Sequence, residues 1–381
     1  MTFTVCGLTG YGYGLAAGVS VLAYLCLVRL IAPKQRIQGE TIWLGGLIGI
    51  PVSLFFARLF FCLATLPYLT LTPAWPWTAL YFWDGGLSMS GLLFGVAATV
   101  LLTARLQKIE AKTLLDTAVL PLGVLIFGLR LAEGLTEGLG AGRNVQPGAI
   151  ANGLPFLFLT ETMGTLELHR LAVYRYEAAF ALVILALTLW FIRAAKGRRQ
   201  GDAALVFFAL YGAGQVFFES MRDDGHMVLG FIRVQQVLGA LGPLLVLGVL
   251  CLRYGKLRGA RGAVTAAWAA LPVFLLVLIM MITPINHVLD LTDKLPLGAG
   301  ILLLLGGYCV VFLRRKGANP RLILTWLFAL LIVAACVLLE FSMDGSQSLL
   351  RDYGLLALCC AALAALPWTL YRACRRLEGN A

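Results

Sequence analysis

The chain has 381 residues, of which 60% are hydrophobic and only 13% are charged, and its mean hydropathy is +0.88. A soluble domain carries roughly 25% charged residues to cover its surface. This composition therefore excludes a soluble globular enzyme and predicts an integral membrane protein. The formal net charge of +11 gives no reason to expect a nucleic-acid partner, because in such a protein basic loops first of all set the orientation in the membrane.

Eleven apolar segments are long enough to cross a bilayer, which requires about 20 apolar residues. They run from 12 to 32, 42 to 65, 85 to 105, 114 to 134, 172 to 194, 203 to 221, 233 to 252, 264 to 283, 297 to 313, 322 to 341 and 353 to 371. Basic residues gather in groups of three or four after every odd-numbered span, within 29–36, 105–112, 193–199, 253–261, 314–321 and 372–376. The positive-inside rule then predicts an all-α polytopic protein with its N-terminus outside and its C-terminus in the cytoplasm.

The predicted outside loops differ in character. Residues 66–84 are rich in Pro, Trp and Tyr, which is typical of a segment that lies along the membrane interface. The longest loop, at about 135–171, has little apolar periodicity and is predicted to be a folded extracytoplasmic loop. Since the last four spans have short outside loops and few polar residues, we predict a seven-helix domain at 1–260 and an additional four-helix region at 261–381.

Ionisable residues inside the predicted spans are the main functional signal, because each costs a few kcal/mol at the bilayer centre unless it is paired or faces water. Two helices carry a polar stripe on one face: Arg130, Glu133 and Glu137 in span four, and Tyr211, Gln215, Glu219 and Arg222 in span six. Two stripes that face each other would line a cavity for an anionic head group, with arginine binding phosphate. The alternative is a set of structural salt bridges, and the spacing does not distinguish the two.

Seven short motifs follow one another along the first 260 or so residues. They are TGYGYGLAAGVSV at 9–21, FFARLFF at 55–61, DGGLSMSGLLFG at 84–95, FGLRLAEGLTEGLG at 127–140, YRYEA at 174–178, YGAGQVFFESMRDD at 211–224 and VQQVLGAL at 234–241. In this order they resemble the motifs of the bacterial phosphatidylglycerol:prolipoprotein diacylglyceryl transferase family. The resemblance places Tyr13, Arg58, Arg130 and Gln236 on a tyrosine, two arginines and a glutamine of those motifs.

The resemblance implies an activity and a location. The family moves a diacylglyceryl group from phosphatidylglycerol to the lipobox cysteine of a lipoprotein precursor and releases glycerol phosphate, at the outer face of the cytoplasmic (inner) membrane. It implies a substrate-binding set of Arg58, Arg222, Glu219, Gln215, Tyr176, Glu177, Tyr13 and Gln236. No cofactor is expected, and no metal site either, since neither CxxC nor HExxH occurs.

The chain also departs from the family pattern. The family's essential histidine falls on Ser90, which cannot act as a base at neutral pH, and its sixth-span arginine falls on Gln215. In the fourth-span motif a Gly-Asn pair becomes Ala132 and Glu133. The expected catalytic set is therefore Glu133, Arg130 and Ser90, with Glu133 as a replacement base; the alternative is that Glu133 only neutralises Arg130.

Three functions remain open on the sequence. The first is a transferase that moves a diacylglyceryl group from phosphatidylglycerol, or another anionic phospholipid, to a lipoprotein precursor or a related acceptor. The second is a pseudoenzyme that keeps the anionic-lipid cavity for binding, scaffolding or regulation, because the family's histidine and arginine are lost. The third, a translocating protein, is disfavoured because no inverted repeat or pair of broken helices is evident.

Overall fold

A computed structural model describes residues 2–253 except for short gaps at 6–7, 75, 83–84, 137, 143, 146–154, 164–165, 196–197 and 230–231, and also residues 357, 360, 361 and 364. Predicted spans eight to ten, and span eleven apart from these four residues, lie outside the described residues. The chain divides into two compact units, Met1–Phe207 with Phe218–Leu238 and Phe208–Phe217 with Gly239–Ala381. The predicted boundary near residue 260 stays a prediction.

Helices make up most of the described chain. They are α1 Gly12–Ile31, α2 Gly39–Ala64, α3 Leu66–Leu69, α4 Met89–Leu106, α5 Ala111–Val119, α6 Leu122–Glu133, α7 Val173–Ala194, α8 Asp202–Met221 and α9 Val234–Arg253. Within the described residues, α1, α2, α4, α7 and α8 are long and apolar enough to cross a membrane. Helices α5 and α6 together pass the same test as one span bent by 45°. A mostly helical membrane protein is thus confirmed, whereas the total of eleven spans and their orientation stay predictions.

The bend between α5 and α6 has a local cause. Pro121 stands immediately before α6, and a proline supplies no backbone N–H and clashes with the preceding turn. The hydrogen-bond ladder therefore breaks there. The sequence predicted one continuous span over 114–134, and this part of the prediction is corrected.

The expectation of an all-α protein is also corrected, because the loops contain small antiparallel sheets. Strands β1 (Thr2–Val5) and β2 (Leu8–Tyr11) form a hairpin ahead of α1. In the long loop the strand order is β3–β5–β4, with β3 at Asn144–Val145, β4 at Phe158–Met163 and β5 at Leu166–Leu171. A third pair joins β6 (Val228–Leu229) to β7 (Ile232–Arg233). Strand pairing within these loops provides hydrogen-bond partners for backbone N–H and C=O groups that lie outside the helices.

Helix α1 shows which surface meets lipid. Its Leu15, Leu22 and Leu30 side chains are 61%, 60% and 70% exposed. Such an extent of exposed leucine on one helix is typical of a surface that faces hydrocarbon rather than water. The opposite side buries Ser20 and Tyr24.

Helices α2 and α4 pack closely through glycine. A Cβ atom at Gly95 would lie 2.5 Å from Ser53 Cα, and one at Gly91 would lie 2.9 Å from Ala57 Cα. Small residues four apart let two membrane helices approach at backbone distance. Just before α4, the Ser88 N–H donates to the Ala57 carbonyl at 2.9 Å, so the chain entering α4 is fixed on α2.

We expect Gly95→Ala to destabilise the protein by about 1–3 kcal/mol, because the added methyl forces α2 and α4 apart. Gly14→Ala is the matched control, since its Cβ would meet nothing within 4 Å and both changes gain the same helix propensity. Thermal unfolding of the purified variants in detergent measures the difference. Equal midpoints for the two variants would contradict this account of the packing.

Asp116, an acidic residue inside the predicted fourth span, has a structural role. Its carboxylate accepts hydrogen bonds from the N–H groups of Gly201 at 2.9 Å and Ala204 at 3.1 Å, and it pairs with Arg198 at 3.1 Å. A carboxylate on the first N–H groups of a helix stabilises that helix terminus. Asp116 therefore caps α8 from a neighbouring helix and takes no part in the cluster described below.

Candidate functional site

A buried cluster of two arginines and two glutamates lies where α6 and α7 meet the residue that follows α8. Arg130 binds Glu133 through Nη1 at 2.5 Å and Glu177 through Nε at 3.1 Å. Arg222 binds the second oxygen of Glu133 and lies 3.4 Å from Glu177 Oε2. Three of the four side chains are only 2% exposed, and Glu133 is 10% exposed. Each guanidinium therefore contacts both carboxylates in a site with little water.

Asp224 extends this cluster towards the loop after α8. It lies 3.7 Å from Arg222 Nε and accepts the N–H groups of Gly140 at 3.0 Å and His226 at 3.1 Å. Burial alone would raise the pKa of Asp224, but Arg222 and the two backbone N–H groups hold it below its usual value. Burial alone would lower the pKa of Arg222, whereas Glu133 and Glu177 raise it. Both groups are therefore charged at neutral pH.

Gly140 allows the cluster to close. It has a positive φ of 70°, which favours glycine. A Cβ atom there would lie 2.8 Å from Glu133 Oε2 and 3.1 Å from Arg222 Nη2. Any side chain at this position would separate the ion pair, so the turn after α6 needs a glycine here.

The cluster carries its own counter-ions. The charges of Arg130 and Arg222 are balanced by those of Glu133 and Glu177, and a further buried carboxylate, that of Glu219, faces Arg233 at 4.0 Å. Paired buried charges avoid most of the cost of desolvation. A phosphate that binds to either arginine must therefore replace or join a carboxylate that is already bound.

The structure brings together part of the set that the sequence singled out. Arg130, Glu133, Glu177 and Arg222 meet directly, and Tyr13 lies near enough to Glu133 and Arg130 to be affected by their charges. Gln215 is buried within the second unit. Glu137 lies outside the described residues.

Arg58 and Tyr176 bind loop backbone instead. The Arg58 guanidinium donates to four carbonyls, those of Thr78, Ala79, Gly85 and Gly86, at 2.6 to 3.2 Å. The Tyr176 hydroxyl donates to the Leu157 carbonyl. In this structure both side chains fasten the loops that were predicted to lie outside to neighbouring helices. Their predicted roles in substrate binding stay predictions.

Ser90 and Gln236 lie near a polar contact made by their neighbours. Ser90 is half-buried in the first turn of α4. Ser88 caps this helix by accepting the Gly91 N–H at 3.2 Å, and its hydroxyl donates to Gln235 Oε1 at 3.0 Å. Both Gln235 and Gln236 are buried. The chain entering α4 is thus tied to the start of α9 by a hydrogen bond that the sequence did not predict.

An apolar groove of about 280 Å³ lies beside the cluster. It is lined mainly by α1, α2 and α4, with Leu114, Ala118 and Leu125 from α5 and α6. Its lining begins on α1 at Ala17, one helical turn after Tyr13. The groove therefore starts about one turn from Tyr13, which is close enough to Glu133 and Arg130 to be affected by their charges, and its lining is as apolar as an acyl chain.

Sequence reasoning missed Gly140, Asp224, His226 and Arg233 as members of this region. Gly140, Asp224 and His226 lie outside the predicted spans, and Arg233 is the first residue of predicted span seven. One signal in the sequence is the run of acidic and basic residues at the end of span six, from Glu219 to Asp224, since charges that close to a span end often serve a buried site. Within the described residues, no group of three His, Cys, Asp or Glu side chains is placed to hold a metal ion.

The fold and site define a mostly helical membrane protein whose spans surround a buried arginine–carboxylate cluster beside an apolar groove. The chain belongs to the prolipoprotein diacylglyceryl transferase family, whose sequence model matches residues 1–254. The resemblance seen in the sequence is thus confirmed.

Several curated relatives are named phosphatidylglycerol–prolipoprotein diacylglyceryl transferase. The protein from Ligilactobacillus salivarius is 26% identical over 238 residues, which cover 61% of this chain and 83% of the relative. The protein from Lactococcus lactis subsp. cremoris is 25% identical over 250 residues, covering 65% and 90%. The protein from Thermotoga maritima is 30% identical over 243 residues, covering 58% and 74%.

Proposed function

We propose that this protein transfers a diacylglyceryl group from phosphatidylglycerol to the cysteine thiol of a lipoprotein precursor, or to a related acceptor. The observation that supports this most strongly is the buried cluster of Arg130, Glu133, Glu177 and Arg222. The family model matches residues 1–254, which contain all four residues, and relatives of this chain are named for this reaction.

The reaction needs stabilisation of a leaving phosphate. The acceptor sulfur attacks the glyceryl carbon as a thiolate, the bond from that carbon to the phosphate oxygen breaks, and glycerol phosphate leaves with one additional negative charge. Fixed cations in a water-poor site stabilise such a charge far more than cations in water. Arg130 and Arg222 are buried and oriented before substrate arrives, so little reorganisation is needed.

The two glutamates fit a role in positioning the arginines. In the absence of lipid they keep both guanidinium groups in place and compensate their charge. When a phosphodiester binds, its oxygens take over part of the hydrogen bonding that the carboxylates now accept. Arginine suits this exchange because its planar fork binds carboxylate and phosphate in the same geometry.

The acyl chains of the donor have a matching environment. The apolar groove of about 280 Å³ begins near Ala17, one turn from Tyr13, and the charges of Glu133 and Arg130 act on Tyr13. A lipid whose phosphate lies at the arginines would direct an acyl chain along this groove between α1, α2 and α4. The basic residues at Arg29 and after α4 lie at the other ends of these helices, which supports a site at the outer face of the cytoplasmic membrane.

The test is release of glycerol phosphate. Purified full-length protein is incubated with phosphatidylglycerol labelled in its head group and with a lipobox peptide containing cysteine or, as control, serine. We expect labelled glycerol phosphate only with the cysteine peptide. If the wild type releases none, while lipid co-purifies with it and Arg130→Ala abolishes this retention, the transferase proposal fails and a lipid-binding pseudoenzyme takes its place.

A further inference from the structure

His226 lies between the charged cluster and an open cleft. Its ring stacks on Phe61 of α2, with centroids 5.4 Å apart and planes at 26°. Its neighbours along the chain, Gly225 and Val228, line a cleft of about 440 Å³ together with Phe61 and Tyr68. On the other side Asp224, which accepts the His226 N–H, contacts Arg222. An acceptor that enters the cleft would reach Phe61 and Gly225, which contact or adjoin this imidazole.

The hydrogen bonding of the ring fixes its tautomer. Nε2 lies 3.2 Å from the Leu87 carbonyl oxygen. A carbonyl can only accept, so Nε2 carries the hydrogen and Nδ1 has the free lone pair of a neutral imidazole. Among the described residues no hydrogen bond occupies Nδ1. The ring is therefore held by one nitrogen and can accept a proton at the other.

The carboxylates of the cluster are less suited to accept a proton. Glu133 has each oxygen on a different arginine, Glu177 faces both arginines, and Asp224 accepts two backbone N–H groups. A proton on any of them would neutralise the carboxylate and so weaken or displace an existing interaction. His226 requires no such displacement.

The ring also has the charge state that a base needs. Burial lowers the pKa of His226 below its usual value, and Arg222 adds to this effect, while Asp224, Glu133 and the Leu87 carbonyl oppose it. These are the charged and titratable groups that face the ring from the loop, α6 and the segment before α4; Phe61 is its neighbour on α2. The imidazole is therefore neutral at pH 7.

We propose that His226 is the base that takes the proton from the acceptor thiol. This proposal rests on the proposed transferase function. The S–H proton passes to Nδ1, the sulfur forms a bond to the glyceryl carbon, and the C–O bond to phosphate breaks with its electron pair on the leaving oxygen. The proton then passes from His226 to glycerol phosphate or to water, which restores the neutral ring.

The position of His226 is also relevant to the histidine that the family motif has and this chain lacks. Ser90 stands where the resemblance leads one to expect a histidine, and serine is no base at neutral pH. Leu87, which binds the His226 ring, lies three residues before Ser90 in the chain entering α4. A histidine from the loop after α8 is thus fastened to the same short segment.

The test uses full-length protein, phosphatidylglycerol vesicles and the lipobox peptide, with rates measured from pH 5.5 to 9. His226→Gln keeps an N–H that can donate to Leu87 but removes the base, and we expect kcat to fall by about 10²- to 10⁴-fold. The remaining rate should rise with pH towards the thiol pKa of about 8.5, as free thiolate accumulates. The wild-type rate should already be level above pH 7. His169→Gln, in strand β5, is the control, and its rate should match that of the wild type.

A second acceptor distinguishes loss of the base from loss of structure. A peptide with selenocysteine in place of cysteine is ionised at neutral pH and needs no base, so His226→Gln should use it at close to the wild-type rate. If the His226→Gln variant is not rescued by the selenocysteine peptide, or if its lower rate keeps the wild-type pH profile, His226 is not the base and has a structural role instead. An unchanged rate with cysteine would overturn the role of His226 as base as well, leaving the transferase function intact. A wild type that transfers to neither peptide would overturn both proposals.

Discussion

Replacing Arg222 with methionine is expected to lower the free energy of unfolding by about 3–5 kcal/mol, which is the cost of breaking a buried ion pair from one side. Methionine fills a similar volume but leaves Glu133, Glu177 and Asp224 without the cation they share. Arg130 alone cannot compensate three carboxylates. The same change should abolish glycerol phosphate release, because one of the two cations at the leaving group is lost.

A second substitution removes one of the carboxylates that the loss of Arg222 leaves without a cation. Adding Glu133→Gln to the Arg222→Met variant should recover part of the lost stability, since a neutral amide costs less to bury than a carboxylate. Activity should not return. Chemical or thermal unfolding in detergent measures the cycle, and additive effects of the two changes would contradict the direct coupling of Glu133 with Arg222.

Replacing Arg130 with lysine is expected to lower activity strongly although the positive charge is kept. The guanidinium of Arg130 reaches Glu133 through Nη1 and Glu177 through Nε. A lysine ammonium is a single point of charge and cannot hold this forked geometry. We expect kcat to fall by about 10²- to 10³-fold, the usual effect of losing one fixed donor at a developing charge.

Stability should change less than in Arg222→Met, because the buried positive charge is kept. Arg198→Lys is the matched control, since Arg198 also pairs with a carboxylate, Asp116, but in a place that serves only to cap α8. Steady-state kinetics with phosphatidylglycerol and a lipobox peptide measures both variants. Equal losses of activity in the two would show that Arg130 acts through general stability and not at the site.

The spans were predictable because length and hydropathy are strong signals in a membrane protein. The segment 203–221 corresponds to α8 at Asp202–Met221, and 172–194 corresponds to α7 at Val173–Ala194. The break before α6 was also visible in the sequence as Pro121, but an uninterrupted apolar run concealed it. The small sheets were not predicted, because their strands are short and lie in loops.

The site was only partly predictable. Spacing on one helix correctly placed Arg130 beside Glu133, a contact between residues three apart. The pairing of Glu133 with Arg222 is a contact over 89 residues of sequence, and no periodicity encodes it. The contacts of Arg58 could not be predicted for a different reason. Arg58 binds backbone carbonyls, which every residue possesses, so no residue type in the sequence marks its partners.

Residues after span six were undervalued for a different reason. Asp224 and His226 lie in a short segment that follows one helix and precedes a hairpin, so they belong to no amphipathic face that periodicity could reveal. Their importance comes from a turn in which Asp224 binds the N–H groups of Gly140 and His226. Only the folded chain brings the loop after α6 against the loop after α8.

The mass of the acceptor peptide tests the central claim most directly. Full-length protein is incubated with phosphatidylglycerol of defined acyl chains and a lipobox peptide, and the peptide is analysed by mass spectrometry. The account predicts addition of one diacylglyceryl group to the cysteine peptide and none to its serine counterpart, with the gain lost in Arg130→Lys. A cysteine peptide of unchanged mass, recovered from protein that still retains phosphatidylglycerol, would contradict it.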